Sequence, residues 1–286
     1  MLIDMHLHTR RSRDSTLSFT DAVEEAKGAG LDAICITEHG RFTLEHEVAE
    51  MAERFAFTVI GGAEFTTRIG HFLVYDVPST VGWSLERDLL LTRLRKLEQE
   101  IERAPSHPVH RLESRLTRML DFEISDLVRL VHQAGGVVIW AHPMDDWSVL
   151  RQWYNTFTER EGTTEMREFA RWLGENDATC WWPAMMRELD GFEILNGSSK
   201  RRGVCNLLAA QIAETFGKPG TAGSDAHERD AVARVATRFA GEPAKDLSIG
   251  HLLRTADPQV EVLKPVPIRE RRGAPQARKR SLTARA

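Results

Sequence analysis

An α/β fold built from parallel βαβ units is what this sequence predicts, and three observations predict it. Short apolar runs alternate with amphipathic stretches along most of the chain. The runs have strand length and are rich in β-branched residues. Residues of the kind that hold metal ions recur at the carboxyl ends of those runs.

Taken in order, LIDMHLH at 2–8 reads as a strand, FTDAVEEAKGAG at 19–30 as a helix ended by glycine, and DAICITEHG at 32–40 as a second buried strand. A helix near 43–54 follows, then strands at FTVIGGAEF (57–65) and HFLVYDV (71–77). A charged helix spans 84–104, a break falls at APSHP, and helical pattern resumes to about Gln133. GGVVIWAHP at 135–143 is a strand of the fully buried kind, and a Trp-rich helical segment covers 146–188. The alternation then resumes with DGFEILNG (190–197), a helix at 200–216, KPGTAGSDAH (218–227), a strand at ARVATRFA (233–240) and a helix at 247–255. The chain contains no internal repeat.

Composition narrows the class. The 286 residues, 42% hydrophobic and 28% charged, are ample to bury a core. No apolar stretch is long enough to cross a membrane, and MLIDMHLHTR lacks the apolar run of a signal peptide, so a cytoplasmic protein with no membrane partner is expected. Cys35, Cys180 and Cys205 stand at unrelated spacings, which excludes a disulfide framework and a thiolate zinc site. Any bound metal is therefore held by imidazole and carboxylate. Residues 269–286 carry seven basic groups and one acid, a local +6 that leaves −10 for residues 1–268 out of the chain's −4. This end is too polar to offset its chain entropy, and it reads as a disordered tail that is solvated or touches nucleic acid.

Histidine is the residue out of line, at 11 against two tyrosines. His6 and His8 close the first strand, His39 the second and Glu64 the third, while His142 and the pair Asp225 and His227 end later ones. In a closed parallel barrel all such strand ends converge on one face. Side chains at i and i+2 of a strand share a face, so His6 and His8 can grip one ion. Asp14, in the loop after that pair, and His71, opening the strand after Glu64, bring the candidates to nine. Mixed nitrogen and oxygen donors without thiolate suit zinc, manganese or iron, and nine donors are too many for one tetrahedral ion. Two or three clustered divalent ions are expected. His46, His107, His110, His132 and His251 fall in predicted helices or the 105–110 loop and are read as surface or structural residues.

The ordered motifs DMHLHTRRSRDS, AKGAGLDAICITEHG, GAEFTTRIGHFLVYD, VVIWAHP and TAGSDAH together resemble the PHP family, named for its polymerase and histidinol phosphatase domains. The resemblance covers roughly residues 1–240. It implies a distorted (β/α)7 barrel with a multinuclear, commonly trinuclear, metal site. It assigns as ligands His6, His8, Asp14, His39, Glu64, His71, His142, Asp225 and His227, with Glu64 bridging. It also frames 1–268 as one catalytic domain in which 83–134 and 146–188 are helical insertions. Six of the seven tryptophans lie between Trp140 and Trp182, where they either pack a helical cap or offer a stacking surface, Trp181 and Trp182 being the first to test.

Clustered divalent ions activate water and neutralise charge on a phosphoryl group, so the expected reaction is hydrolysis of a phosphate ester by a metal-bridging hydroxide. Glu64, His71 and Asp225 form the expected catalytic set. Arg11, Arg13 and Arg201 are the candidates for holding substrate oxygens, within the runs Arg10–Arg13 and Lys200–Arg202. Glu193, ending the strand FEIL, lies near the site or makes a structural hydrogen bond, and is left out of the ligand set. A small phosphorylated metabolite or nucleotide is the expected substrate. A 3′–5′ exonuclease or oligonucleotide phosphodiesterase is the alternative, disfavoured by the acidic body. A non-catalytic, metal-stabilised interaction domain is the third reading.

Overall fold

In the computed structural model, β1 (Leu2–Leu7) is buried along its whole length and forms one wall of a curved, nearly closed sheet. The structure describes residues 1–43, 45–78, 123–176, 181–198, 203–241 and 247–264, together with Gly82, Ser84, Leu85, Arg87 and Asp88. Most of the expected helix at 84–104 and the whole of the 269–286 tail fall outside them. The strands that follow are β2 (Ala33–His39), β3 (Thr58–Thr66), β4 (His71–Tyr75), β5 (Val137–Ala141), β6 (Gly191–Asn196), β7 (Gly220–Gly223), β8 (Val235–Arg238) and β9 (Gln259–Val262). Their order across the sheet is β7-β6-β5-β4-β3-β2-β1-β8-β9.

The sheet is mixed. β1, β2 and β3 pair in parallel, as do β5, β6 and β7, but β4 runs antiparallel to both its neighbours. The cause is the connection, since only the turn through Thr67 and Gly70 separates β3 from β4, and a parallel return needs a crossover of about a dozen residues. Reversal has a functional consequence. The start of β4, where His71 stands, lies beside the ends of its parallel neighbours, with His71 opposite Thr66 on one side and Ala141 on the other.

β7 meets β1 only at its carboxyl end. Asp225 N–H donates to His6 O at 2.7 Å and His8 N–H to Ala226 O at 2.9 Å. Toward the other end β8 fills the seam, Thr237 Oγ1 accepting from Ala222 N–H (2.7 Å) and donating to Ala222 O (3.0 Å). β8 pairs antiparallel with β1, and β9, which the sequence pattern did not announce, covers its outer edge.

Helices cover the outside: α1 (Phe19–Gly28), α2 (Glu45–Phe55), α3 (Ile124–Gln133), α4 (Val149–Glu161), α5 (Met166–Asn176), α6 (Trp181–Glu188), α7 (Val204–Thr215) and α8 (Ile249–Thr255). The Trp-rich segment is thus three helices, broken where Gly162 takes a left-handed conformation at the end of α4. α1 starts where Ser18 accepts from Asp21 N–H. α8 is held by Asp76, which accepts from the N–H groups of Ile249 (3.1 Å) and Gly250 (2.6 Å) and from Ser248 Oγ (2.9 Å). The core is layered: Ile3, Met5, Cys35, Leu73, Tyr75 and Ile139 pack with α8, while Phe72, Trp140 and Phe192 pack with α3, α4, α5 and α7.

Candidate metal centre

The nine candidate ligands come together at the carboxyl end of the sheet. His6 and His8 leave β1 toward the same point, their Nε2 atoms 2.9 Å apart. His39 is the last residue of β2, Glu64 lies in β3, His71 opens β4 and His142 follows β5. Asp225 and His227 follow β7, and Asp14 arrives on the loop between β1 and α1. His142 and Asp225 both have positive φ (32° and 51°), a conformation that non-glycine residues adopt at a cost of about 1–3 kcal/mol and that here turns each side chain into the cluster.

Glu64 is the hub. Its Oε1 lies 2.9 Å from His71 Nδ1, 3.1 Å from His142 Nε2 and 3.6 Å from His6 Nε2. Its Oε2 lies 2.8 Å from His39 Nδ1 and 3.3 Å from His8 Nε2. Asp225 Oδ1 faces His6 Nε2 (3.6 Å), His8 Nε2 (3.5 Å) and His227 Nδ1 (3.6 Å). Asp14, largely exposed, bridges His39 Nε2 (3.3 Å) and His227 Nε2 (3.4 Å). Three groups of converging donor atoms result: His8, His39 and His227; His6, His8 and Asp225; and Glu64, His71 and His142.

These residues fit divalent cations. Glu64 Oε2 is buried and has no hydrogen bond, although His39 Nδ1 is 2.8 Å away, so the two atoms approach without a well-aimed proton between them. The two Nε2 atoms of His6 and His8 likewise leave room for at most one proton between them. Unpaired electron pairs aimed at a common point, in a nitrogen and oxygen set without sulfur, are suited to metal binding.

At Glu64 and His8 the electrostatics agree, whereas His6 favours a proton that a cation would have to displace. Burial disfavours a charged Glu64, yet the surrounding imidazoles, His71 and His6 foremost, hold its carboxyl well below the usual range. Burial, with His6, His39 and His227 as like-charged neighbours, pulls His8 well below ordinary imidazole despite Glu64, which keeps His8 neutral and its nitrogen lone pair available. His6 is also pulled down by burial, but the carboxylates of Glu193 and Glu64 outweigh this and push it up to about 10.

A ring of buried acceptors aims the ligands. Glu193 Oε1 lies 3.0 Å from His6 Nδ1, its Oε2 accepting from His142 N–H (2.9 Å) and Asn196 Nδ2 (3.0 Å), so Glu193 supports the cluster from behind. Ser12 Oγ lies 3.4 Å from His8 Nδ1, donates to Glu38 and accepts from His39 N–H. Asp4, which burial pushes up to about 6, accepts from the N–H groups of Ser224 (2.8 Å) and Ala233 (3.1 Å) and fixes the Asp225 loop. Sequence reasoning passed over Glu38, Ser12 and Asp4. The available signal was an acid inside an apolar strand, in LIDMHL and AICITEH, since a buried carboxylate needs partners.

The candidate substrate arginines are placed differently. Arg11 forks onto Glu47 of α2 and receives Arg41 on its carbonyl, while Arg13 is exposed on the same loop. Arg201, with Lys200 and Arg202, lies outside the described residues, as do His107, His110 and the side chains of Trp181 and Trp182. His46, His132 and His251 stand on α2, α3 and α8. Trp140 is buried in the core and Trp153 and Trp172, partly buried, pack against it, whereas Trp147 is exposed beside His71 and His142.

Comparison with known proteins adds an independent line. An uncharacterized protein of Methanocaldococcus jannaschii is 33% identical over 92 residues, 27% of this chain and 54% of its own, so the match spans about half the length of that relative. A candidate metal-dependent phosphoesterase of Bifidobacterium adolescentis shares the fold at a TM-score of 0.51 and 19% identity, covering 88% of this chain and 94% of that one. The lesion-specific endonuclease Q of Pyrococcus furiosus does so at 0.51 and 13%, covering 91% of this chain and 57% of that one. A two-domain Bacteroides vulgatus protein containing a predicted PHP-like metal-dependent phosphoesterase does so at 0.53 and 19%, covering 92% of this chain and 64% of that one. No described helix is long and apolar enough to cross a membrane. The PHP domain profile matches residues 4–172 and the PHP-associated profile residues 205–249, and with more than half of its length matched this chain belongs to the PHP domain family.

Proposed function

We propose that this protein is a metal-dependent phosphoesterase that hydrolyses the phosphate ester of a small metabolite or nucleotide. The observation that carries the proposal is the convergence of five imidazoles on the single buried carboxylate of Glu64, flanked by Asp225 and Asp14. Two or three divalent ions, manganese, zinc or iron, would be held by His6, His8, Asp14, His39, Glu64, His71, His142, Asp225 and His227. When bound, such ions supply Lewis acidity toward phosphoryl oxygens and activation of water.

The chain's own residues supply the rest. Neutral His8 presents Nε2 as a donor at physiological pH. Glu64 and Asp225 bring the negative charge that keeps several cations close together, and Glu193 holds the ring of His6 in one orientation. Burial of Glu64, His6 and His8 keeps bulk water from screening these charges. Arg13, exposed beside the cluster loop, is retained as a candidate for the outer phosphate oxygens. Arg11 is available for that role only by leaving Glu47. The −10 of residues 1–268 favours a small anion held at the centre over a long nucleic acid.

The test is elemental analysis of the purified protein, paired with hydrolysis of a chromogenic phosphomonoester and phosphodiester in added manganese. Two or more metal equivalents and turnover that is lost in His8→Ala and Asp225→Ala are expected. Fewer than two equivalents, or turnover unchanged in both variants, overturns the assignment. A preference for the diester together with loss of activity on removing residues 269–286 would favour the nuclease reading.

A further inference from the structure

Trp147 is a large aromatic left 43% exposed, whereas Trp140 is buried and Trp153 and Trp172 are partly buried against the core. Its place is specific. The indole lies 4.5 Å from the ring of His71 and 5.5 Å from that of His142, tilted to both, so one side is backed by two candidate metal ligands while much of its surface remains open. The loop that carries it is fixed. Asp145 N–H donates to His142 O (3.1 Å), Ser148 N–H to Asp145 O (2.9 Å), Ser148 Oγ to Pro143 O (2.6 Å) and Val149 N–H to Ile69 O (3.3 Å), while Met144 anchors the loop in the core. Hydrophobic burial would favour folding this side chain inward, yet the loop holds it at the mouth of the centre.

We propose that Trp147 is a stacking platform that selects phosphate esters whose leaving group carries a planar heterocycle. The inference rests on the phosphoesterase reading and deepens it by naming the substrate class. The face of an indole offers dispersion and π-contact but no hydrogen-bonding group, so it rewards flat unsaturated area and not hydroxyls. A phosphate held by the cluster places its ester substituent within reach of the residue beside His71 and His142. Because the loop is already ordered, stacking there loses little conformational freedom on binding.

The test compares wild type, Trp147→Phe and Trp147→Ala, each loaded with manganese, on a nucleoside 5′-monophosphate, a sugar phosphate and glycerol phosphate. Trp147→Ala should lower the nucleotide-to-glycerol-phosphate ratio of kcat/KM by about 5- to 100-fold, chiefly through KM, and Trp147→Phe should keep most of it. A non-hydrolysable methylenephosphonate analogue of the nucleotide, titrated calorimetrically, should bind Trp147→Ala more weakly by a similar factor. An unchanged ratio together with unchanged analogue binding overturns the proposal, and so does an equal loss with the sugar phosphate. Failure of wild type to hydrolyse any ester would instead sink the phosphoesterase reading, and the analogue titration would still decide the role of Trp147.

Discussion

At Glu64 the two carboxylate oxygens face five imidazole nitrogens between 2.8 and 3.6 Å, with His6 and His8 in mutual contact as well. So many basic nitrogens cannot all be protonated together in a buried site, and sharing cations resolves the conflict. The residues behind them should matter almost as much. Glu193→Gln keeps the shape but removes the charge at His6 Nδ1, and it should weaken metal affinity by about 10- to 100-fold in a chelator-competition assay. Glu64→Gln should weaken it more and lower the number of ions bound. Gly223 is a second sensitive position, because a Cβ there would fall 2.3 Å from His6 Cβ. Gly223→Ala should therefore cost roughly 1–3 kcal/mol in chemical denaturation and displace His6 from the cluster.

Among elements, the seam between β7 and β1 is the joint that brings Asp225 and His227 to the ligands of β1, and Thr237 of β8 closes it. Thr237→Val keeps the shape and strands one donor and one acceptor of Ala222, so a loss of about 1–3 kcal/mol for each unsatisfied group is expected in denaturation. On the outer side, His132 of α3 is pinned to Asp190, ahead of β6, at 2.9 Å. The hydrogen bond to Asp190 raises the imidazole of His132 against the opposing effect of partial burial. A raised histidine adds stability that is fully present below the ordinary imidazole range and is lost as pH rises through its folded value. The gap in Tm between wild type and His132→Gln should accordingly be widest near pH 6 and shrink toward pH 9.

For the molecule as a whole, ions that bind only the folded barrel act as part of its stability. With free metal at about 100 times its dissociation constant the gain is about 2.7 kcal/mol, and at roughly 2–4 °C per kcal/mol for a chain of this size the effect is visible in a thermal melt. Chelation should lower Tm by about 5–10 °C and manganese should restore it, whereas Asp225→Ala should respond weakly to both. Equal melting with and without chelator would count against a metal-dependent fold.

The site was legible in the sequence to the degree that it is local. HLH at 6–8 places two side chains on one face by strand geometry, and the glycine-flanked apolar runs mark the strands, whereas DAH at 225–227 lies past the end of β7, where the positive φ of Asp225 turns it into the cluster. The support of His6 by Glu193, of Ser12 by Glu38, and of the Asp225 loop by Asp4 was hidden, because each joins residues 26 to 220 positions apart. Trp147 was one tryptophan among six, and its exposure beside His71 and His142 set it apart only in the fold. By itself, then, the sequence determined the donor types, their strand-end positions and the α/β class, since these follow from side-chain chemistry and local periodicity. Only the tertiary structure decided the reversal of β4, the closure of β7 on β1 and the meeting of the nine donors, with Glu64 at their hub, because those depend on strand pairings between distant segments, which local pattern does not encode.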